Sequence, residues 1–525
     1  MVAIIKKHAG NMKNLRGHRR RRFLKLFGVA AAGIGLQRSK ALDFLADNGG
    51  HALADDSSCG VLNRSVHIYA GTGDLAWFTL LWPMVDVVDN SVNTNADMPA
   101  TPADGVDGRY PYHAFAAEGV TKDYGAISGT EVKRRLHYGP QAPWTDGSGN
   151  PLPQRDVTAI LQGANETHED VPKLGGKVSA GVDVAAVCGS IQRDVPCLVP
   201  VISVGESASP GQAVGTPAVT TVASGGGMVE LFNSAASQDL LQTAEDRDLF
   251  ETYYKAVIGL RHAADSPTWH HQLEVYKSAA NILGKNLKEE LEPTPADLIA
   301  FGVNAMPQNI TQEQFDNLDN LARTLITTAK AMSLGLTNSV VIQLQNSVTD
   351  GSFRDPHGAW TDIPATLATV TLLGQILDQF YVLLDTLEDP TCESGGTLGN
   401  RVVMSVHGDT PKTPFETSAW PDGTPSASNW LFVMGNGYLN GGWFGRVEPT
   451  AGPGSKGKSQ TISWGFDAQT GEEIAALDPG SSASLPTTNE AGAAVAYAVS
   501  RGRYEKVSEF YNGQGIDALV TDKES

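Results

Sequence analysis

Residues 401–411 read RVVMSVHGDTP. The first six are apolar and β-branched with hardly a break, the composition of a strand buried on both faces. His407 and Asp409 follow at once, in a Gly/Thr/Pro turn. Four more runs share this form: 65–70 (SVHIYA), 198–204 (LVPVISV), 339–344 (SVVIQL) and 430–434 (WLFVM). Helical patterns lie between them. The clearest is 364–388, PATLATVTLLGQILDQFYVLLDTLE, with apolar residues at helical spacing, Asp378 and Asp385 on its other side, and Pro364 suited to the first turn. Short buried strands alternating with helices predict an α/β domain with a mostly parallel sheet.

The pattern changes from 237 to 335. Three amphipathic helices are expected there, the last over QEQFDNLDNLARTLITTAKAMSL, with no convincing strand. This predicts a helical subdomain (237–335) inserted between the two halves of the α/β domain (60–236 and 336–525). Residues 90–155, rich in Gly, Pro, Asp and Tyr, read as long irregular excursions.

Ligands in open α/β sheets bind outside the carboxyl ends of the strands. After 65–70 comes GTGDLAWF, with Asp74. After 339–344 comes QNSVTDGSFRDPHGAW, with Asp350, Asp355 and His357. After 401–406 comes HGDTP. Carboxylates and imidazoles are the side chains that hold zinc, manganese or similar ions, so Asp74, Asp355, His357 and His407 are the candidate ligands. The competing reading is that these loop residues satisfy local backbone groups, since Asp-Pro-His-Gly is also an ordinary turn. His168 is read as a surface histidine. His270 and His271 are adjacent on a helix, about 100° apart, and cannot easily share an ion.

Met404 to Pro411 (MSVHGDTP) resembles the Ser-Glu-Phe-Gly-Arg-Thr-Pro signature of an exported bacterial family, domain of unknown function 1501, related to the alkaline-phosphatase and sulfatase superfamily. Gly351 to Gly358 (GSFRDPHG) is similar to its Gly-Gly-Trp-Asp-x-His segment, with one extra residue. Asn429-Trp430 and the Gly-rich stretch after it resemble its Asp-His-Trp segment, and Gly71 to Asp74 stands where it has Gly-Gly-x-Asp. The resemblance implies an alkaline-phosphatase-like fold, one divalent ion (zinc, manganese or calcium), and Thr72 or Thr79 as a nucleophile beside it. It also has gaps. Val406-His407 replaces the family's Glu-Phe and Asp409 its Arg, while Ser428 and Asn429 replace the Asp and His of Asp-His-Trp. A site for two ions would lack ligands. Two functions follow: a degenerate member that binds an extracytoplasmic ligand or protein, or a metal-dependent hydrolase of phosphate or sulfate esters.

The chain begins like an export signal. Arg20 to Lys25 (RRRFLK) fits the twin-arginine pattern, and an apolar run from Leu26 to Leu36 follows, too short to span a bilayer. Candidate cleavage sites are Ser39-Lys40-Ala41 and Ala52-Leu53-Ala54. A signal over 1–41 predicts a periplasmic or extracellular protein without a membrane span. Those residues hold 11 of the 39 basic side chains and none of the 58 acids, leaving 28 against 58, a net charge of −30. Such acidity argues against nucleic acid and anionic membranes as partners.

Residues 452–459, GPGSKGKS, match the Walker A spacing. That motif needs a helix beginning at its Lys-Ser pair. The stretch that follows, QTISWGFDAQTG, reads instead as a short strand and a turn, so no nucleotide is expected. Of four cysteines, Cys188 and Cys197 are the closest candidates for a bridge in an oxidising compartment, Cys59–Cys392 is the pairing left by elimination, and free buried thiols are the alternative.

Overall fold

The computed structural model describes residues 62–69, 120–123, 135–138, 144, 155–163, 176–179, 181–195, 197–205, 213–233, 287–344, 363–392, 396–407, 428–453, 459–477, 487–513 and 515–521. The strands, in chain order, are β1 (Arg64–Tyr69), β2 (Val120–Asp123), β3 (Arg135–Tyr138), β4 (Val157–Gly163), β5 (Lys177–Ser179), β6 (Val182–Asp183), β7 (Val201–Val204), β8 (Val219–Val222), β9 (Ser339–Gln343), β10 (Val402–His407), β11 (Ser428–Met434), β12 (Gly442–Phe444), β13 (Arg446–Pro453), β14 (Ser459–Phe466) and β15 (Glu473–Leu477). The helices are α1 (Val184–Ile191), α2 (Gly225–Phe232), α3 (Leu287–Leu291), α4 (Pro295–Ala300), α5 (Gln312–Ser333), α6 (Ile363–Thr386), α7 (Thr488–Val499) and α8 (Tyr504–Val507). The chain divides into two compact units, Met1–Leu53 with Gly227–Glu292, and Ala54–Gly226 with Pro293–Ser525. The second contains the sheet, α1 and α4 to α8; α3 and most of α2 belong to the first.

Eight strands form one sheet in the order β12-β4-β11-β10-β1-β9-β7-β8. The molecule is an α/β protein with a mostly parallel central sheet flanked by helices. All five expected runs are strands of this sheet. Pairing is parallel throughout β10-β1-β9-β7-β8 and in β12-β4. Only β11 is reversed, antiparallel to both β10 and β4. Its run, 430–434, is as apolar as its neighbours because both its faces are covered, and burial alone leaves no mark of strand direction. Trp430 on β11 meets Trp443 on β12 edge to face, ring centroids 4.3 Å apart, a geometry that adds about 0.5–1.5 kcal/mol beyond burial.

Between β8 and β9 the described residues are helical. In α5 the buried Leu318, Leu321, Ala322, Leu325, Ile326, Ala329 and Met332 recur at helical spacing. Thr311 and Gln314 close a capping box, with backbone-to-side-chain bonds of 3.0 and 3.2 Å. At the other end Leu336 N–H donates to Ala331 O and Gly335 N–H to Met332 O. These are the two bonds of a Schellman motif, with Gly335 at the required φ of +69°. That turn delivers the chain into β9. Helix α6 also forms as expected. Asp385 lies on its exposed side, where Arg155 donates to both carboxylate oxygens at 2.7 Å. Asp378, seven residues before Asp385 on the same side, is half-buried and accepts the backbone N–H of Trp144 at 3.3 Å.

Helix α7 is built from small residues, Ala491, Gly492, Ala493, Ala494, Ala496 and Ala498, all buried. They allow close approach to β5. A Cβ on Gly492 would lie 2.1 Å from the carbonyl oxygen of Lys177, a backbone atom that cannot rotate away. In an exposed helix Gly→Ala gains up to about 1 kcal/mol. Here overpacking wins, and Gly492→Ala is expected to lose about 1–3 kcal/mol in urea denaturation. A neutral or stabilised variant would show that α7 can draw back from β5.

The GPGSKGKS stretch joins two antiparallel strands, β13 and β14. Gly452 and Pro453 end one and Ser459 opens the other. A strand therefore follows the Lys-Ser pair, where a phosphate-binding loop would have a helix N-terminus. Among the described residues no helix is long and apolar enough to cross a membrane.

Candidate functional site

Strands β9, β1 and β10 are adjacent and parallel, so the chain leaves all three at one edge of the sheet. This is the arrangement that convergence of the candidate ligands requires. Of those ligands, His407 ends β10. Thr72, Asp74, Asp355 and His357 lie outside the described residues, as do Thr79, Asp350, Asp409, His168, His270 and His271.

His407 is 1% exposed. Register sets it beside Tyr69, and His67 beside Ser405. The four therefore form a two-by-two array on one face of the sheet, since alternate residues of a strand share a face. His67 Nδ1 and Ser405 Oγ share a hydrogen bond of 2.8 Å. The rings of Tyr69 and His407 meet edge to face at 4.6 Å. Tyr69 Oη donates to Asp183 Oδ1 at 2.8 Å, and the same oxygen accepts the N–H of Ala185 at 2.7 Å, capping α1. Gly176 completes the enclosure. Its N–H donates to Gln162 Oε1 at 2.8 Å, and its carbonyl accepts from Val184 N–H at 2.8 Å.

Burial governs the charge states. It pushes both His67 and His407 down to about 3, the charge of His67 adding to the effect at His407. Both are neutral imidazoles at neutral pH. Burial also pushes the Asp183 carboxyl up to about 6, against hydrogen bonds from Tyr69, Ala185 and Ala186 and the charge of Lys177. The Tyr69 hydroxyl is raised well above its ordinary value by burial and by Asp183. Neither ring nitrogen of His407 has a hydrogen-bond partner among the described residues, and neither does Asp183 Oδ2, His67 Nε2 or Gln162 Nε2.

A Cβ on Gly176 would lie 2.3 Å from His407 Nε2, so only glycine fits against this imidazole. Among the described residues no group of three His, Cys, Asp or Glu side chains is placed to hold a metal.

Sequence reasoning missed Asp183, Gly176 and Gln162. It also passed over His67 and Tyr69, although Ser65, His67 and Tyr69 alternate through an otherwise apolar run. Asp183 just before VAAVCG was a readable helix cap. Of the two readings for Cys188 and Cys197, the structure shows the free buried thiols and not the bridge. Cys188 packs from α1 into the core with Val184, Val187 and Ile191, whereas Cys197 lies by Asn338 and Arg64. Cys392 is disulfide-bonded.

No family model, curated protein or solved structure matches the chain.

Proposed function

We propose that this chain is an exported, alkaline-phosphatase-like protein that has lost hydrolase function and acts as a binding or structural protein in the periplasm or at the cell surface. The observation that carries this reading is His407, the surviving imidazole of the signature strand: it is enclosed and neutral, with Gly176 packed against its ring. A catalytic metal keeps one coordination position open to water or substrate, which an imidazole only 1% exposed does not favour. Ser428 and Asn429, in place of the family's Asp and His, point the same way. The RRRFLK leader supports export, and the Cys392 disulfide suits an oxidising compartment.

The test is the metal content of protein purified after export, together with turnover of p-nitrophenyl phosphate and p-nitrophenyl sulfate. The expected result is well under one zinc, manganese or calcium per chain and no turnover above the protein-free rate. The second reading, a one-metal ester hydrolase, is favoured by the adjacency of β9, β1 and β10. One equivalent of metal that is lost on Asp355→Ala or His357→Ala, with turnover lost alongside it, would establish that reading and overturn ours.

A further inference from the structure

Strands at the two ends of the central sheet are treated differently. At one end β12 is buried at all three positions. At the other end is β8, and none of the six side chains from Ala218 to Ala223 is buried. Exposed edge strands are normally protected by charge, proline or a covering element, because their free N–H and C=O groups template pairing with another chain. Here the sequence is Ala-Val-Thr-Thr-Val-Ala, β-prone and uncharged. No charged residue or histidine lies between Glu206 and Glu230, in a chain of net charge −19. Pro217 stands just before the strand and leaves its own N–H groups intact.

We infer that β8 is a self-association edge, on which a second copy of this chain pairs antiparallel through its own β8. The charge distribution selects this occupant. Two strongly acidic copies repel over most of their surface, and residues 207–229 around β8 bring no acidic side chain of their own to a contact, with the Arg193 guanidinium the charged group against Gly215. The backbone is suitably aimed. Gly205 N–H donates to Val222 O at 2.9 Å, within the parallel ladder of β7 and β8. Val222 and Thr220 therefore turn their backbone groups toward β7, and alternation turns those of Val219 and Thr221 outward. A two-fold antiparallel pair must place outward residues opposite outward residues. The register centred on Thr220 does so with strand residues alone. Val219 exchanges both hydrogen bonds with Thr221 of the other copy, twice over, and Thr220 faces its own copy in the close, non-hydrogen-bonded position. A ribbon this short covers less than the roughly 1,200–2,000 Å² of a stable interface, so a weak dimer is expected, with Kd on the order of 10 μM.

The test uses the full chain as purified, in sedimentation velocity over a concentration series. Wild type should shift from monomer to dimer as concentration rises through the micromolar range. Thr220→Lys, which places like charges opposite each other, should weaken the dimer at least tenfold with an unchanged Tm. Mixing Thr220→Lys with Thr220→Glu should restore it. Thr220→Cys should give a reducible covalent dimer, because the close pair lies within disulfide reach at about 4.5 Å between Cα atoms. The inference is overturned if wild type stays monomeric to about 200 μM, about twentyfold above the expected Kd, or if a dimer forms that neither Thr220→Lys weakens nor Thr220→Cys traps.

Discussion

Acidification from pH 6.5 to pH 4 is expected to remove about 3 kcal/mol of stability through each of His67 and His407, about 6 kcal/mol for the pair, at 1.36 kcal/mol per pH unit. In the unfolded chain these imidazoles take a proton near pH 6.5, whereas in the fold both stay neutral down to about 3. Between those values the unfolded state binds more protons. Stability from the pair is thus full above pH 6.5 and lost as pH falls toward 3. Asp183 works in the opposite sense. Its folded carboxyl titrates near 6 rather than 3.8, so the fold takes up its proton first and recovers about 3 kcal/mol as pH falls through that window. The histidines still dominate, since there are two and their window is wider. Urea unfolding followed by fluorescence of the buried Trp430 and Trp443 measures the effect. In the variant His67→Asn with His407→Leu, Asn can keep the bond to Ser405 and neither residue titrates. The loss between pH 6.5 and 4 should shrink by more than half. An unchanged pH profile in that variant would refute the assignment.

Asp389→Ala is expected to remove about 3–5 kcal/mol, the usual consequence of stripping one partner from a buried ion pair. Asp389 is 4% exposed, and Arg64 and Arg401 are similarly buried. Its Oδ1 lies 2.9 Å from Arg64 Nη2, at an angle outside hydrogen-bond geometry, so the contact is read as an ion pair; its Oδ2 lies 3.4 Å from Arg401 Nε. Thr391 donates its N–H and its hydroxyl to Oδ1, at 2.9 and 2.7 Å. Burial opposes ionisation of Asp389, but Arg64 and the Thr391 bonds outweigh it and hold the carboxyl below its usual range. The cluster pins the amino ends of β1 and β10, where Arg64 N–H donates to Arg401 O at 2.7 Å. Asp389→Asn, which keeps an acceptor for Thr391, should lose less than Asp389→Ala. Equal, small losses under about 1 kcal/mol in both variants would mean that the two guanidinium groups are accommodated without this carboxylate.

The five apolar runs, helices α5 and α6, and the strand after GPGSKGKS were legible in the sequence because each depends on local periodicity and turn chemistry. Thr311 and Gln314 announce a helix start within four residues, and Gly335 marks its end. The α/β class follows from how such segments alternate. Nothing local reveals that β11 runs against its neighbours, or that β4, far from the other strands of its side, lies between β11 and β12. Those facts depend on which strands pair, and pairing is decided by burial summed over the whole sheet. The same holds for the site. His407 was visible as an imidazole at a strand end, and Asp183 as a residue before an apolar helix. Only the fold brings Tyr69, Asp183 and Gly176 around that imidazole, from positions hundreds of residues apart in the case of Tyr69 and His407. A ligand-type side chain is a property of the sequence. Whether it meets solvent or is enclosed is a property of packing, and at His407 the packing encloses it.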